Sequence, residues 1–369
     1  MKYKKILILL FLLFHFLLIV FFDRNNNYLS SQNRNKVDFP KTNSLFLSDK
    51  YKKQIENYFA DRIYFNDKFQ MMKINIERKA YSFISKNYSN NTYIMAFPTH
   101  FFYKNDDYIV SYPQNELTLK KYQKERDKII SSYNNINCKN KYIYYVNTSD
   151  SINFDTNKNI LSDDVKKSYN TYSFGEFKIK NYEEYKKYFY KTDYHWNDKA
   201  SYLGYIDIMN LIKGPGNYNI NQPIYRVKLS NNFYGNIARE LKYFNIKESF
   251  YYNKYNLGDY TKYVNGDLVS DNQIDDDYLF SRVYGYIQKE TVFDFSNPSS
   301  DNLLIISNSF GLPIFKLIAS NYNKTYIIDP RLYKNFEANK YIEDNNIDNL
   351  LVITSGIYYL NDDFRLRED

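Results

Sequence analysis

From Ile6 to Phe22 almost every position is apolar, behind the basic start Met1-Lys-Tyr-Lys-Lys5. Seventeen helical residues at about 1.5 Å each span about 26 Å, close to the roughly 30 Å hydrocarbon core of a bilayer. The positive flank points to the cytoplasm. The run ends on Phe21-Phe22-Asp23-Arg24 without a small-residue cleavage site. That favours an uncleaved signal anchor over residues 1–25 against a removed signal peptide. The chain is therefore expected in the cell membrane as a single-pass protein, with its soluble part on the extracytoplasmic side. Residues 26–44 are polar and aperiodic, a linker leading away from the membrane.

Over residues 45–90, Ile55, Tyr58, Phe59, Ile63, Phe69, Met72, Ile76 and Ala80 recur near helical spacing, with a break at 64–67. The spacing predicts two helices packed on a main domain at 91–369. There, strands are predicted at 92–97, 101–103 and 141–146, and helices at 117–133, 183–190 and 198–212, the last ended by Gly214-Pro215-Gly216. The pattern is clearest near the end: strand 302–307, helix 312–321, strand 324–328, helix 336–345, strand 350–354. Such a series requires parallel pairing through right-handed crossovers, giving an α/β domain with reactive groups at the carboxyl ends of its strands. Residues 213–300, dense in Asn, Tyr and Asp and poorly periodic, read as an irregular insertion.

Composition changes this picture little. Aromatic residues make up 20% of 369, but Asn, Lys and Ile are abundant with them, as in a genome-wide codon bias, so aromatic richness is weak support for carbohydrate stacking. The net charge of +8 is spread along the chain. With no basic block and no groove-reading motif, nucleic acid is not expected as a partner. A mild positive balance suits an anionic polymer or membrane face without showing either. The single cysteine, Cys138, forms neither an internal disulfide nor a zinc site and reads as a structural thiol. No metal or cofactor is expected.

The candidate chemistry lies in Lys191-Thr-Asp-Tyr-His-Trp-Asn197, since the chain's other histidines are His15, inside the apolar run, and His100. A serine hydroxyl needs a base to take its proton, and an imidazole oriented by a carboxylate supplies one. Asp193 and His195 share a face if the segment is extended. Ser309, just past the strand in Asp301-Asn-Leu-Leu-Ile-Ile-Ser-Asn-Ser-Phe-Gly311, is the candidate nucleophile. The amides of Ser309, Phe310 and Gly311 would open the next helix and face an oxyanion, with Gly311 allowing close approach. Blander readings stand beside these. Asp193 and His195 could be a surface or capping pair, Ser309 an N-cap, and Trp196 either core or a sugar platform.

Lys191-Thr-Asp-Tyr-His-Trp196, after Tyr185-Lys-Lys-Tyr-Phe-Tyr190, resembles the Thr-Asp-x-His-Trp signature of the DHHW and AlgX/AlgJ-like proteins, which carry an SGNH-hydrolase-like domain. Ser307-Asn-Ser-Phe-Gly311 matches the place of that family's Gly-Asp-Ser-Phe turn, in the same chain order. Weaker matches are Asn57–Asp67, Phe233-Tyr-Gly235 and Asp329-Pro-Arg331. The resemblance implies a three-layer α/β/α sandwich, a Ser309-His195-Asp193 triad, and acetyl transfer to or from an extracellular polysaccharide. It also implies a membrane-bound acyl-donor protein, because acetyl-CoA stays inside the cell. Asn308, Trp196 and Arg331 would border substrate, though Arg331 equally suits a cap or surface pair. The chain departs from the family at Ser307-Asn308, at Tyr194 in place of a second histidine, and at Ile357-Tyr358-Tyr359 in place of a Glu-Arg pair. The expectation is a membrane-anchored O-acetyltransferase or acetylesterase. The alternative is a noncatalytic glycan-binding or assembly factor on the same fold. A glycosidase built on Asp275-Asp276-Asp277 is set aside, since acidic runs are usually solvated loops.

Overall fold

A computed structural model of the chain describes residues 116–369 except 155, 157, 242, 271–277, 298–299, 357–364 and 367–369. Before these it describes 28–29, 34–35, 39, 49–62, 69, 72–73, 76, 92–96, 100–105 and 107–111. The expected anchor at 1–25 with His15, most of the linker and most of the second early helix lie outside the described residues, as do Asp275–Asp277 and Ile357–Tyr359. Among the described residues no helix is long and apolar enough to cross a membrane.

The chain divides into two compact units, Met1–Lys104 with Ile237–Asn245, and Asn105–Asn236 with Ile246–Asp369. The first contains the helix Asp49–Arg62, where the Arg62 guanidinium lies 3.9 Å over the Tyr58 ring one turn back. It also holds an antiparallel pair in which Ala96 faces His100 and Thr92 faces Lys104.

The second unit is built on strands β1 (Asn140–Val146), β2 (Ser173–Phe177), β3 (Tyr225–Phe233), β4 (Glu248–Lys254), β5 (Thr261–Val264), β6 (Asp267–Leu268), β7 (Glu290–Asp294), β8 (Leu303–Ser307), β9 (Lys324–Ile328) and β10 (Asn349–Ser355). Among its helices are α1 (Gln123–Asn134), α2 (Ile160–Ser168), α3 (Tyr182–Tyr188), α4 (Asp198–Lys213), α5 (Leu279–Tyr284), α6 (Phe315–Ala319) and α7 (Ala338–Asp344). One sheet runs β6-β5-β7-β9-β8-β10-β1-β2. The strands from β9 to β2 are parallel, while β7, β5 and β6 extend the edge antiparallel.

Side-chain alternation explains the layers. Ile143 and Tyr145 of β1 point into a core with Ile129 and Tyr133 of α1, Val165 of α2 and Ile342 of α7. Tyr144 points the other way and its hydroxyl donates to Asp207 of α4 at 3.2 Å. Helices thus cover both faces, and β8 and β10, buried along their whole length, are apolar on both sides. The chain leaves β8 for β9 on one side and returns to β10 on the other. The carboxyl end of β8 is therefore a switch point, where an open α/β sheet leaves a crevice.

Three expectations need correction. Residues 213–300 are not an irregular insertion: they form the β3–β4 hairpin, add β5, β6 and β7 to the main sheet, and supply α5. Irregular register at Lys228/Ser230 and Ser230/Phe233 breaks the period-two pattern that would have revealed β3. The helix expected over 312–321 is shorter, a 3-10 turn Ser309–Gly311 followed by α6. Pro313 has no N–H for a bond to Ser309, which ends the α pattern there. The helix expected over 117–133 is interrupted at Tyr122, separating Glu116–Lys121 from α1.

Candidate active site

Asp193 and His195 lie on the loop between α3 and α4. The loop is pinched by an isolated bridge between Phe189 and Trp196 and by the Asn197 amide donating to Tyr188 O at 2.8 Å. Asn197 then caps α4, its side chain accepting the Lys199 and Ala200 amides at 3.1 Å. The shared strand face expected of Asp193 and His195 is not what joins them. Asp193 Oδ1 accepts the His195 backbone amide at 2.9 Å, an Asx-type turn that folds the imidazole back onto the same oxygen.

His195 Nδ1 is 2.7 Å from Asp193 Oδ1, and Nε2 is 2.8 Å from Ser309 Oγ. With Nδ1–H donating to the carboxylate, Nε2 is left to accept the serine proton. Asp193 is fully buried and its second oxygen accepts the Asn236 amide at 2.7 Å and the Tyr278 hydroxyl. Burial pushes its carboxyl upward, but the His195 charge and the hydrogen bonds from His195 and Tyr278 outweigh it and hold the group below the usual carboxylate range. Burial, the Asp193 charge and the bond to Asp193 keep the Tyr278 phenol well above its ordinary range, and therefore a donor.

The His195 side chain is 2% exposed. Phe280 of α5 stacks on it at 4.2 Å between centroids, with Phe310 at 5.0 Å. Ser309 is half-buried, two residues beyond β8, with its hydroxyl against the His195 base. Trp196 is 1% exposed and its Nε1–H donates to Phe310 O at 3.0 Å, tying the Asp193–His195 loop to the serine turn. It is core, and not the sugar platform considered from the sequence. Gly204 of α4 makes room for it, since a Cβ there would stand 2.5 Å from the indole.

Asn308 and Gly311 are placed differently from expectation, and Arg331 takes the paired reading open to it from the sequence. Asn308 caps its own turn, with Oδ1 accepting the Phe310 amide at 3.1 Å and Nδ2 donating to Ser355 Oγ at 3.2 Å. The Gly311 amide donates to Asn308 O at 3.2 Å. Of the amides read as oxyanion donors, those of Phe310 and Gly311 are thus already engaged, which leaves that of Ser309. Gly311 serves packing: a Cβ would stand 2.0 Å from the Phe315 ring. Arg331 lies in the turn after β9, where Nε is 3.0 and 3.1 Å from the two oxygens of buried Asp329. It is a paired side chain of that turn. Asn236, Tyr278 and Phe280 went unread in the sequence because they fall in the poorly periodic stretch, and because one Tyr or Phe is inconspicuous among 71. Among the described residues, no group of His, Cys, Asp or Glu is gathered that could hold a metal ion.

No family model and no curated protein matches the sequence. Solved structures do. PatB1 of Bacillus cereus with a sulfonyl adduct aligns over 73% of this chain and 99% of its own, at 18% identity and TM-score 0.55. A DHHW family protein from Eubacterium siraeum aligns over 75% of this chain and 99% of its own, at 15% identity and TM-score 0.56. The chain has the fold of that DHHW protein. The O-acetyltransferase domain of Pseudomonas putida AlgJ aligns over 73% of this chain and 92% of its own, at 7% identity and TM-score 0.36. The DHHW likeness of fold agrees with the signature read at residues 191–196.

Proposed function

We propose that the chain is a serine-dependent O-acyltransferase acting on an exported or cell-surface polysaccharide, with water as the competing acceptor. The observation that carries this reading is the unbroken line from Asp193 Oδ1 through both nitrogens of His195 to Ser309 Oγ, at 2.7 and 2.8 Å. In the first half-reaction, Ser309 Oγ attacks the acyl carbonyl while its proton passes to His195 Nε2. The tetrahedral adduct collapses to acyl-Ser309, and the leaving group takes that proton. In the second, a sugar hydroxyl gives its proton to Nε2 and attacks the acyl-serine, and the proton returns to Ser309 as the acylated sugar departs. Asp193 stays ionised throughout and steadies the imidazolium. The Ser309 amide is the oxyanion donor left by the turn.

The fold shared with PatB1, captured with a sulfonyl adduct, supports a covalent reading, since sulfonyl reagents trap activated hydroxyls. The acetyl group, the polysaccharide acceptor and a membrane-bound acyl donor rest on the signature resemblance. Anchoring by residues 1–25 with the soluble part outside rests on the apolar run. The test is turnover of an activated acetyl ester, with and without an oligosaccharide acceptor, by the full chain and its Ser309→Ala variant. Loss of turnover with folding intact is the expected result. Unchanged turnover would defeat the enzyme reading and leave the glycan-binding one. Protease digestion of intact cells tests the location: full protection of the soluble part would exclude an outside polymer as substrate.

A further inference from the structure

The Asp193–His195 loop is gripped from both strands of the β3–β4 hairpin. The exit of β3 supplies the Asn236 amide to Asp193 and the Gly235 amide to Thr192 Oγ1 at 2.9 Å. Directly opposite Phe233 in the hairpin register stands Glu248, the first residue of β4. Its carboxylate accepts the Lys191 amide at 2.8 and 2.9 Å, the Thr192 amide at 3.2 Å and the Thr192 hydroxyl at 3.4 Å. The Thr192 side chain therefore joins the two strands, accepting from β3's exit and donating to β4.

We propose that Glu248 is a positioning residue for the triad: by gathering the Lys191 and Thr192 donors, it fixes the backbone from which Asp193 meets His195. The inference rests on the serine-dependent reading above. Every partner that Glu248 meets here is a donor, and the one oxygen among them, Thr192 Oγ1, already accepts from Gly235. The site suits a carboxylate. Protonation takes acceptor capacity from a carboxylate that receives two amides and a hydroxyl, and the grip loosens. The charged and titratable groups facing Glu248 are Asp193, Lys191, Tyr108 and Tyr190, with Lys191 also 3.4 Å from Asp107. The residue is only half-buried, yet desolvation of its carboxyl outweighs the two amides and, with Asp193, pushes it up to about 7. Competence of the loop should accordingly change near neutral pH.

The experiment follows sulfonylation of Ser309 by phenylmethanesulfonyl fluoride from pH 5 to 9, with near-ultraviolet circular dichroism confirming fold. In the unaltered protein, labelling depends on Ser309 and falls toward acid more steeply than one proton allows. Glu248→Gln is expected to label about 10–100-fold more slowly at pH 8 and to fall with a one-proton slope. Thr192→Val removes the hydroxyl that bridges Gly235 to Glu248 while leaving both amide contacts and the titrating group, so it should label more slowly than the unaltered protein, by less than Glu248→Gln does, and keep the steeper slope. It remains readable if Glu248→Gln does not fold. An unchanged rate in either variant, or a slow Glu248→Gln with the original slope, would overturn the positioning role while the triad reading stands. Labelling independent of Ser309 in the unaltered protein would overturn both.

Discussion

Gly235 lies so close to Asp193 that a Cβ on the glycine would stand 2.4 Å from the Asp193 Cβ and equally near Thr192 O. No side chain fits between the hairpin exit and the carboxylate that orients His195. Gly235→Ala should push the Asp193 segment away at a cost of about 1–3 kcal/mol. Activity should fall at least about tenfold, because a small misplacement at a reacting centre is expensive. Thermal melting and ester turnover measured on the same preparation check both; full activity would mean the backbone yields elsewhere.

Asp193→Asn is expected to cut turnover by roughly a thousandfold or more while the chain still folds. An amide in place of Oδ1 would present a donor to His195 and favour the wrong tautomer. Kinetics with an activated ester measures it, and a loss confined to KM would argue against tautomer control.

Trp196→Phe keeps most of the buried ring but removes the donor to Phe310 O. A buried carbonyl left without its partner costs about 1–3 kcal/mol. The expected result is a lower melting temperature together with reduced turnover, since the serine turn loses its tie to the base. Unaltered turnover in a less stable protein would show that packing alone positions Ser309.

Stability should depend on pH with opposite signs at two carboxyls. Glu248 is raised from 4.5 to about 7 in the folded chain. Between those values the unfolded chain releases its proton first, so this group's contribution to stability declines as pH rises through the window and is constant above it. Asp193 is lowered from 3.8, so its contribution is present above that value and is lost as pH falls through the folded pKa below it. Melting curves from pH 3 to 8 should show Glu248→Gln flattening the slope between 5 and 7, and Asp193→Asn flattening only the acid end. A Glu248→Gln profile parallel to the unaltered one would refute the assignment.

The parallel core was legible because its strands are buried on both faces and read as short apolar runs, Leu303–Ser307 and Asn349–Ser355 above all. Ser309, His195 and Asp193 were legible because histidine is scarce here and a serine at a strand's carboxyl end is conspicuous. The hairpin was not. Its strands are half-exposed and irregular in register, and its contributions, a backbone amide, a glycine's missing Cβ and Glu248, carry no periodic signal. Phe280 and Tyr278 were hidden in an aromatic-rich background. The amides of Phe310 and Gly311 were misread because a cap by Asn308 on its own turn is visible only in three dimensions.

The hydrogen bond from Trp196 to Phe310 spans 114 residues of sequence. Active-site loops usually open independently of the body that carries them, each at its own low free energy. Here one loop's only indole is buried beneath the other's backbone, so neither can swing away without tearing the second. Amide exchange in the two segments should be synchronous and slow, and the Asp193–His195–Ser309 arrangement should survive or perish with the interior of the domain.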